Sequence, residues 1–524
     1  LNFANIFAWK NYDKLEIYHN EDMIIIKGKD FFFPPLVKEP TKSENFNKAV
    51  QFIIDYCQNN NFVFNILGIT PEILPYFNVP DTEIYEHNHL NEYLYNADDL
   101  IKYKGKKFHS KRNLVNQFER NYQFDFVGYN DSMKPGILNL IDNWTEQKSL
   151  TYEKEGIISL LDNLDDTGTF CDVIMIDNVV QAFSIGTITS SVGIVLFEKA
   201  NTEYIGIYPA IVTYFARKHF QNVKYINRQE DMGIENLRIS KMSYNPCGFV
   251  NKYQITKTRD IQLKEIYHLS FNDSFSYEEY FFTNKEKQVM YITNNNIITS
   301  ALYYRSESLV INNREIKAAF IFALATHPLY RHKGYMSRLI KKALQDLSNE
   351  YVLVYLHPDV QNFYDLFDFV YFGSNGKLDK TITTPLTNLF AVKAIYDEVA
   401  SYADGYTKRD ITRWQNILEE VKADNGNIYA DEESYQIYDG ANVSEGLSKG
   451  IRLTKDKYNM VRVLQLKPLL TILDNKSANY EVIDNIIEKN NIIIDENISA
   501  KKISIKDFSE LIFANLLILA LEKY

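Results

Sequence analysis

Short apolar runs bounded by turn residues alternate along this chain with stretches whose apolar positions recur every three or four residues. The first pattern predicts buried strands and the second amphipathic helices. Residues 320–325 (FIFALA) are the clearest strand, an unbroken apolar run that stops at His327-Pro328. A basic turn follows, Tyr330-Arg331-His332-Lys333-Gly334. Beyond it Met336, Leu339, Ile340 and Leu344 fall on one helical side, with Arg338, Lys341 and Lys342 elsewhere. Strand, basic glycine turn and helix together predict a place for an anion. The first amides of a helix lack internal partners and its dipole is positive there. Gly334 lets a ligand approach the backbone, and Arg331 and Lys333 add charge. Taken alone, the same residues also fit an ordinary surface turn.

The two patterns organise the rest of the chain. In the first half they predict strands at residues 23–27, 62–69, 169–175, 179–187 and 191–197, and helices at 45–58, 133–147 and 207–220. Phe31-Phe32-Phe33 before Pro34-Pro35 predicts a buried strand end and a turn. In the second half a helical entry over residues 261–282, holding His268, Tyr277 and Tyr280, leads to strands at 290–293, 297–304, 316–325 and 352–356. After Thr384-Pro385 come a strand at 388–392, helices at 395–398 and 408–414, and a hairpin of 427–430 with 435–438. Residues 511–521 read as a buried C-terminal helix. Such alternation predicts an α/β (α+β) class.

Composition narrows the function. A chain of 524 residues with 45% hydrophobic and 24% charged residues is globular and long enough for three to five domains. A net charge of −11 argues against broad nucleic-acid binding and against DNA as a partner. Cys57, Cys171 and Cys247 lie far apart, which fits a reducing compartment without a disulfide or zinc framework. The opening residues show no leader pattern, and residues 511–521 are far short of the ~20 a membrane span needs. The expectation is a cytoplasmic protein. His87 and His89 lack a further ligand cluster nearby, so a polar turn is expected there and no metal. Residues 102–120, KYKGKKFHSKRNLVNQFER, are the most basic stretch, either a solvated face or a second anion site.

Arg331-His332-Lys333-Gly334-Tyr335-Met336 resembles the Arg/Gln-x-x-Gly-x-Gly/Ala acyl-CoA signature of GNAT N-acetyltransferases, with Met336 in place of a small residue. The resemblance implies that this turn binds the pyrophosphate of acetyl-CoA, or of another acyl-CoA, used as co-substrate. It also implies that Leu324, Ala325 and Thr326 offer a strand edge to the pantetheine arm. Residues 362–369 (NFYDLFDF) are similar to the family's FYxxxGF segment, which makes Tyr364 the candidate acid that protonates the departing thiolate; Asp368 stands where that family has glycine.

Residues 225–246 (YINRQEDMGIENLRISKMSYNP) resemble the hallmark of proteins related to the C-terminal domain of phosphatidylglycerol lysyltransferase, a tandem of two GNAT-like folds. The basic 106–118 segment and the opening FANIFAW fit the same group. The resemblance makes Glu230, Asp231, Gly233, Arg238 and Lys241 second-site candidates. A strand, an acidic turn and a helix with ordinary i,i+3 ion pairs fit the same residues. Ile395-Tyr396, Arg409 with Trp414, and residues 460–466 with Pro468 are similar to the enhanced intracellular survival N-acetyltransferases, whose last domain has a sterol-carrier-protein-like fold. In some of those enzymes the terminal carboxylate is the general base, a role that would fall to Tyr524 here.

The expected domains are therefore residues 1–110 and 111–258 (two GNAT-like folds), 259–384 (a GNAT acetyltransferase domain), 385–458 (a partial GNAT-like fold) and 459–524 (a sterol-carrier-like domain). The expected activity is acyl-CoA-dependent N-acylation of a primary amine on a small molecule or peptide. One alternative is aminoacyl transfer by the N-terminal tandem to a lipid or peptide, which alone would require tRNA. Another is a non-catalytic ligand-binding or scaffold protein. The resemblance to the survival-type enzymes also implies a homo-oligomer.

Overall fold

The computed structural model describes residues 2–39, 43–148, 151–360, 362–375, 378, 380–439, 442–474, 480–494 and 500–521. Two compact units divide it, Leu1–Thr258 and Arg259–Tyr524.

The first unit is built on a seven-stranded sheet. Its order is Gly248–Val250, Glu92–Asn96, Tyr225–Asn227, Val192–Ala200, Val179–Thr189, Thr169–Ile176 and Asp125–Gly128. Val192–Ala200 and Tyr225–Asn227 run parallel. A parallel pair needs a crossover, and the apolar helix Ile207–His219 supplies it, burying Ile207, Ala210, Ile211, Phe215 and Ala216. A smaller sheet of Asn65–Ile69, Tyr253–Lys257 and Thr82–Glu86 takes its central strand from the far end of the unit. The expected boundary at residues 110/111 falls inside the helix His109–Asn121. Glu92–Asn96, before it, already belongs to the larger sheet.

The second unit centres on an eight-stranded sheet. Along its path lie Val370–Asn375, Thr454–Val463, Leu353–Leu356, Arg314–Thr326, Ile297–Ile311, Gly405–Thr407 and Ile518–Leu519, with Gln288–Asn294 paired on Ile297–Ile311. Strand periodicity sends Ala319 and Ile321 to one face and Ala318 and Phe320 to the other. The first face packs on Leu339, Ile340 and Leu344 of the helix Tyr335–Leu347. Each such buried side chain contributes about 1.5–3 kcal/mol. The second face packs on Phe508, Ile512 and Phe513.

Several expectations change here. Residues 388–392 open the helix Leu389–Ala400, capped by the Asn388 side chain on the Phe390 amide, instead of forming a strand. The helix expected from residue 408 starts at Ile411, with Asp410 as its cap and Gly405–Thr407 a strand before it. The helix expected over 511–521 ends as Ile505–Phe513, and Ile518–Leu519 joins the sheet. The expected boundary at 458/459 falls inside Thr454–Val463, a strand paired on both sides within the eight-stranded sheet. Beyond it, Ile492–Ile494, Tyr480–Ile483 and Lys501–Ser504 form a small sheet of their own.

Candidate functional site

In the second unit the parallel pairing of Arg314–Thr326 with Leu353–Leu356 stops at Ile321–Leu356. Beyond that point Phe322, Ala325 and Thr326 pair only with Ile297–Ile311, across a bulge at which Ala323 takes φ +47°. The strand Leu353–Leu356 ends there, and the edge from Phe322 to Thr326 has no ladder partner on that side among the described residues. Phe322, Ala323 and Leu324 are only half-buried although their strand is interior to the sheet. An open edge of backbone N–H and C=O groups is what an extended, amide-bearing arm can pair with.

The basic turn stands at the end of that strand. His332 and Gly334 both take left-handed backbone, φ +61° and +78°, which folds the chain tightly into the helix Tyr335–Leu347. Gly334 is the helix N-cap, and no side chain satisfies the first amides. A Cβ on Gly334 would meet nothing within 4 Å, so the approach to those amides is open. Arg331, His332 and Lys333 are exposed; Arg331 Nε donates to the Thr326 carbonyl (3.2 Å) and Lys333 Nζ lies 5.1 Å from the Tyr330 ring centre. Tyr335 packs edge-on against Tyr330. Met336 turns toward the core that includes Leu339 and Ile340, so its bulk does not occupy the turn. Burial and the neighbouring Arg331 charge push His327 down to about 4, leaving a neutral ring whose Nδ1 accepts from the Leu329 amide.

Tyr364 opens a short 3-10 turn, Tyr364–Phe367, after the strand Leu353–Leu356. Its ring packs against Phe363 and Phe369, and burial, with the Asp359 charge, pushes its hydroxyl well above the ordinary value. It stays protonated through neutral pH. Asp368, the departure from glycine, takes φ +61°, a conformation that aspartate tolerates. Its carboxylate also serves Arg462, which is fully buried and donates to the Phe367 and Val463 carbonyls and to Asp484. Tyr524 lies outside the described residues.

The first unit repeats strand, turn, helix and parallel strand, but closes the turn. Gly206, the N-cap of Ile207–His219, has φ +91°, and a Cβ there would sit 2.1 Å from the Leu114 carbonyl oxygen of the helix His109–Asn121. The basic stretch therefore covers this helix N-terminus. Its charges are also largely engaged: Lys102 pairs with Asp98 and Lys107 with Asp99, both at 2.8 Å, and Lys111 lies 3.8 Å from the Tyr244 ring centre.

Four of the five second-site candidates meet around one loop. Gln229, Met232 and Gly233 all take positive φ between the strand Tyr225–Asn227 and the helix Glu235–Met242. Asp231 accepts from Tyr93 Oη (2.7 Å), the Gly233 amide (2.8 Å) and Arg238 Nε (2.9 Å). Burial opposes its charge, yet the bonds from Arg238, Tyr93 and Gly233 hold its carboxyl at about 2. Lys241 donates to the carbonyls of Arg228 and Gln229, and burial beside Arg228 pushes it down to about 8. Glu230, the fifth, is raised by burial and faces this group through charge alone.

Sequence reasoning missed the pair at the centre of the group. Arg228 Nη2 donates to Glu198 Oε1 (2.7 Å), and its guanidinium lies 4.6 Å from the Tyr244 ring centre. Among the described residues Glu198 Oε2 and Arg228 Nη1 are buried without a hydrogen-bond partner. Burial raises the Glu198 carboxyl despite the arginine. Arg228 stands inside the 225–246 motif and was legible there, but Glu198, thirty residues earlier on another strand, gave no local signal. His87, read as a polar turn residue, bonds Gln254 (2.5 Å).

Residues 1–256 match the family model "Phosphatidylglycerol lysyltransferase, C-terminal", and residues 254–372 match the GNAT acetyltransferase domain. An uncharacterised protein of Mycoplasmoides gallisepticum is 23% identical over 244 residues, 43% of this chain and 74% of that one. Among solved structures, a protein of unknown function from Bacteroides thetaiotaomicron shares 25% identity over 49% of this chain and 90% of its own, with a TM-score of 0.45. L-PGS from Bacillus licheniformis shares 14%, over 49% and 88%, with a TM-score of 0.40. Eis1 from Mycobacterium abscessus shares 10%, over 49% and 86%, with a TM-score of 0.37. Among the described residues no helix is long and apolar enough to cross a membrane.

Proposed function

From a chain that joins a lysyltransferase C-terminal-like region to a GNAT acetyltransferase domain, we propose that the second unit is an acyl-CoA-dependent N-acyltransferase, with acetyl-CoA as donor and a primary amine as acceptor. The observation that carries this reading is the strand edge left unpaired beyond Ile321–Leu356 among the described residues, set beside an open glycine turn at the start of an amphipathic helix. The amides of Tyr335 and Met336, with Arg331 and Lys333, would take the pyrophosphate. The edge at Leu324, Ala325 and Thr326 would pair with the pantetheine arm, and a backbone N–H there would hold the thioester oxygen as negative charge develops on it. The amine nitrogen attacks the thioester carbon, the new C–N bond forms, the C–S bond breaks, and the amine proton passes to water or a base. Tyr364, kept protonated by burial, gives its proton to the sulfur.

Tyr364→Phe tests this assignment. The expected result is a fall of roughly a hundredfold in kcat for acetyl transfer, with the Kd for acetyl-CoA unchanged. An unchanged kcat would remove Tyr364 from the chemistry.

A second activity in the first unit is favoured by its buried group of Glu198, Arg228 and Lys241, in which a carboxylate oxygen and a guanidinium nitrogen have no partner among the described residues. The covered turn at Gly206 closes the N-terminus of the helix Ile207–His219 to a pyrophosphate. The match of this unit to the lysyltransferase C-terminal model suggests an aminoacyl ester of tRNA as the donor for that second activity.

A further inference from the structure

The face of the second unit's sheet turned away from the helix Tyr335–Leu347 carries a group of charges that the transfer chemistry does not use. Arg305 pairs in register with Phe320, and its guanidinium lies 4.7 Å from the Phe320 ring centre and 5.5 Å from that of Phe322. Arg305 Nε donates to Glu307 Oε1 at 2.5 Å, and Arg413 Nε approaches the same oxygen at 3.6 Å. Lys285 Nζ also lies 4.6 Å from the Phe322 ring centre, forms an ion pair with Glu420 and donates to Tyr277 Oη at 3.0 Å. Tyr277 also donates to Glu420 at 2.8 Å.

Among the described residues Lys285 pairs with Glu420 and Arg305 with Glu307, and Arg413 is the third cation beside these two carboxylates. Lys285, Arg305, Glu307 and Glu420 are each less than a tenth exposed. An excess positive charge held so far from water is unfavourable unless an anion joins it. Among the described residues Arg413 Nε is itself buried without a hydrogen-bond acceptor. Arg413 is also the member that keeps some access to solvent, its side chain 16% exposed. The group touches Phe322, the first residue past the end of the parallel pairing, and Phe322, Ala323 and Leu324 are only half-buried. The pyrophosphate turn begins the helix on the opposite face, so the donor's anionic end is accounted for there.

We infer that Arg305, Arg413 and Lys285 form a carboxylate subsite beside the unpaired edge of the strand Arg314–Thr326, so that the acceptor is an amine that also bears a carboxylate. One excess cation matches one monoanion, and a guanidinium fork suits the planar carboxylate. The substrate class rests on the acyl transfer proposed above; the subsite itself does not.

The test uses the full chain and calorimetric titration with N-acetylglycine, 3-acetamidopropanoate and 4-acetamidobutyrate, each against its uncharged primary amide. The expected result is that at least one acid binds tenfold or more tightly than its amide. Arg413→Gln should abolish that preference and Arg413→Lys partly restore it, while the thermal unfolding of both variants stays near that of the parent. Equal binding of every acid and amide, or a preference that Arg413→Gln leaves intact, would overturn the subsite. A chain that binds the acid but neither binds nor uses acetyl-CoA would overturn the acyl-CoA reading and leave the subsite standing. In turnover, 4-aminobutyrate should exceed butylamine in kcat/KM, with the difference carried by KM.

Discussion

Arg462→Met is expected to destabilise the second unit by about 3–5 kcal/mol, the cost of leaving a buried carboxylate without its cation. Arg462 is wholly buried, and its Nη2 donates to Asp484 at 2.7 Å. Its Nε and Nη1 reach the carbonyls of Phe367 and Val463 at 2.9 and 2.7 Å. Methionine fills similar volume but donates nothing. Asp484 would keep the amides of Ile486 and Ile487 and the Asn490 side chain, which soften the loss without neutralising the charge. The same arginine fixes the end of the 3-10 turn that begins at Tyr364, so kcat should fall along with stability. Denaturant unfolding of the full chain, read by a probe in the second unit, measures the first effect. A change below 1 kcal/mol would contradict this account.

Alanine at Gly206 and at Gly334 should behave differently although the two glycines hold corresponding places. Both sit at positive φ, which costs an L-residue about 1–2 kcal/mol. At Gly334 that is the whole penalty, because a Cβ meets nothing within 4 Å. At Gly206 the Cβ would lie 2.1 Å from a backbone oxygen, so the helix His109–Asn121 must move. The added overpacking brings Gly206→Ala to about 2–5 kcal/mol. Hydrogen exchange in that helix should speed up for Gly206→Ala, with no counterpart in Gly334→Ala. Equal effects would mean that the first unit's turn is as open as the second's.

The parts of this architecture legible in sequence are those written locally. Residues 320–325 and the apolar side of 336–344 spell a strand and a helix because their burial follows simple periods, and the structure places them in Arg314–Thr326 and Tyr335–Leu347. Asp368 looked like a defect in a motif until Arg462, 94 residues later, supplied its partner. Thr454–Val463 could not be placed from its own residues, since its register is set by strands about a hundred residues earlier. Residues 388–392 (NLFAV) are apolar enough for a strand; the Asn388 cap and the burial of Val392, Ile395, Tyr396 and Val399 decide for the helix. Glu198 and Arg228 meet only through sheet geometry, and Lys285 meets Glu420 only because the turn after the helix Phe275–Thr283 packs on the helix Ile411–Ala423.

The most direct measurement is an acetyl-CoA titration by calorimetry on the intact chain, on Arg331→Glu and on an Arg331→Glu, Gly334→Trp double variant, with unfolding curves to show that each variant folds. The account predicts one site per chain, weakened by Arg331→Glu and lost in the double variant. No binding to the intact chain, or a site that survives in a folded double variant, would contradict it.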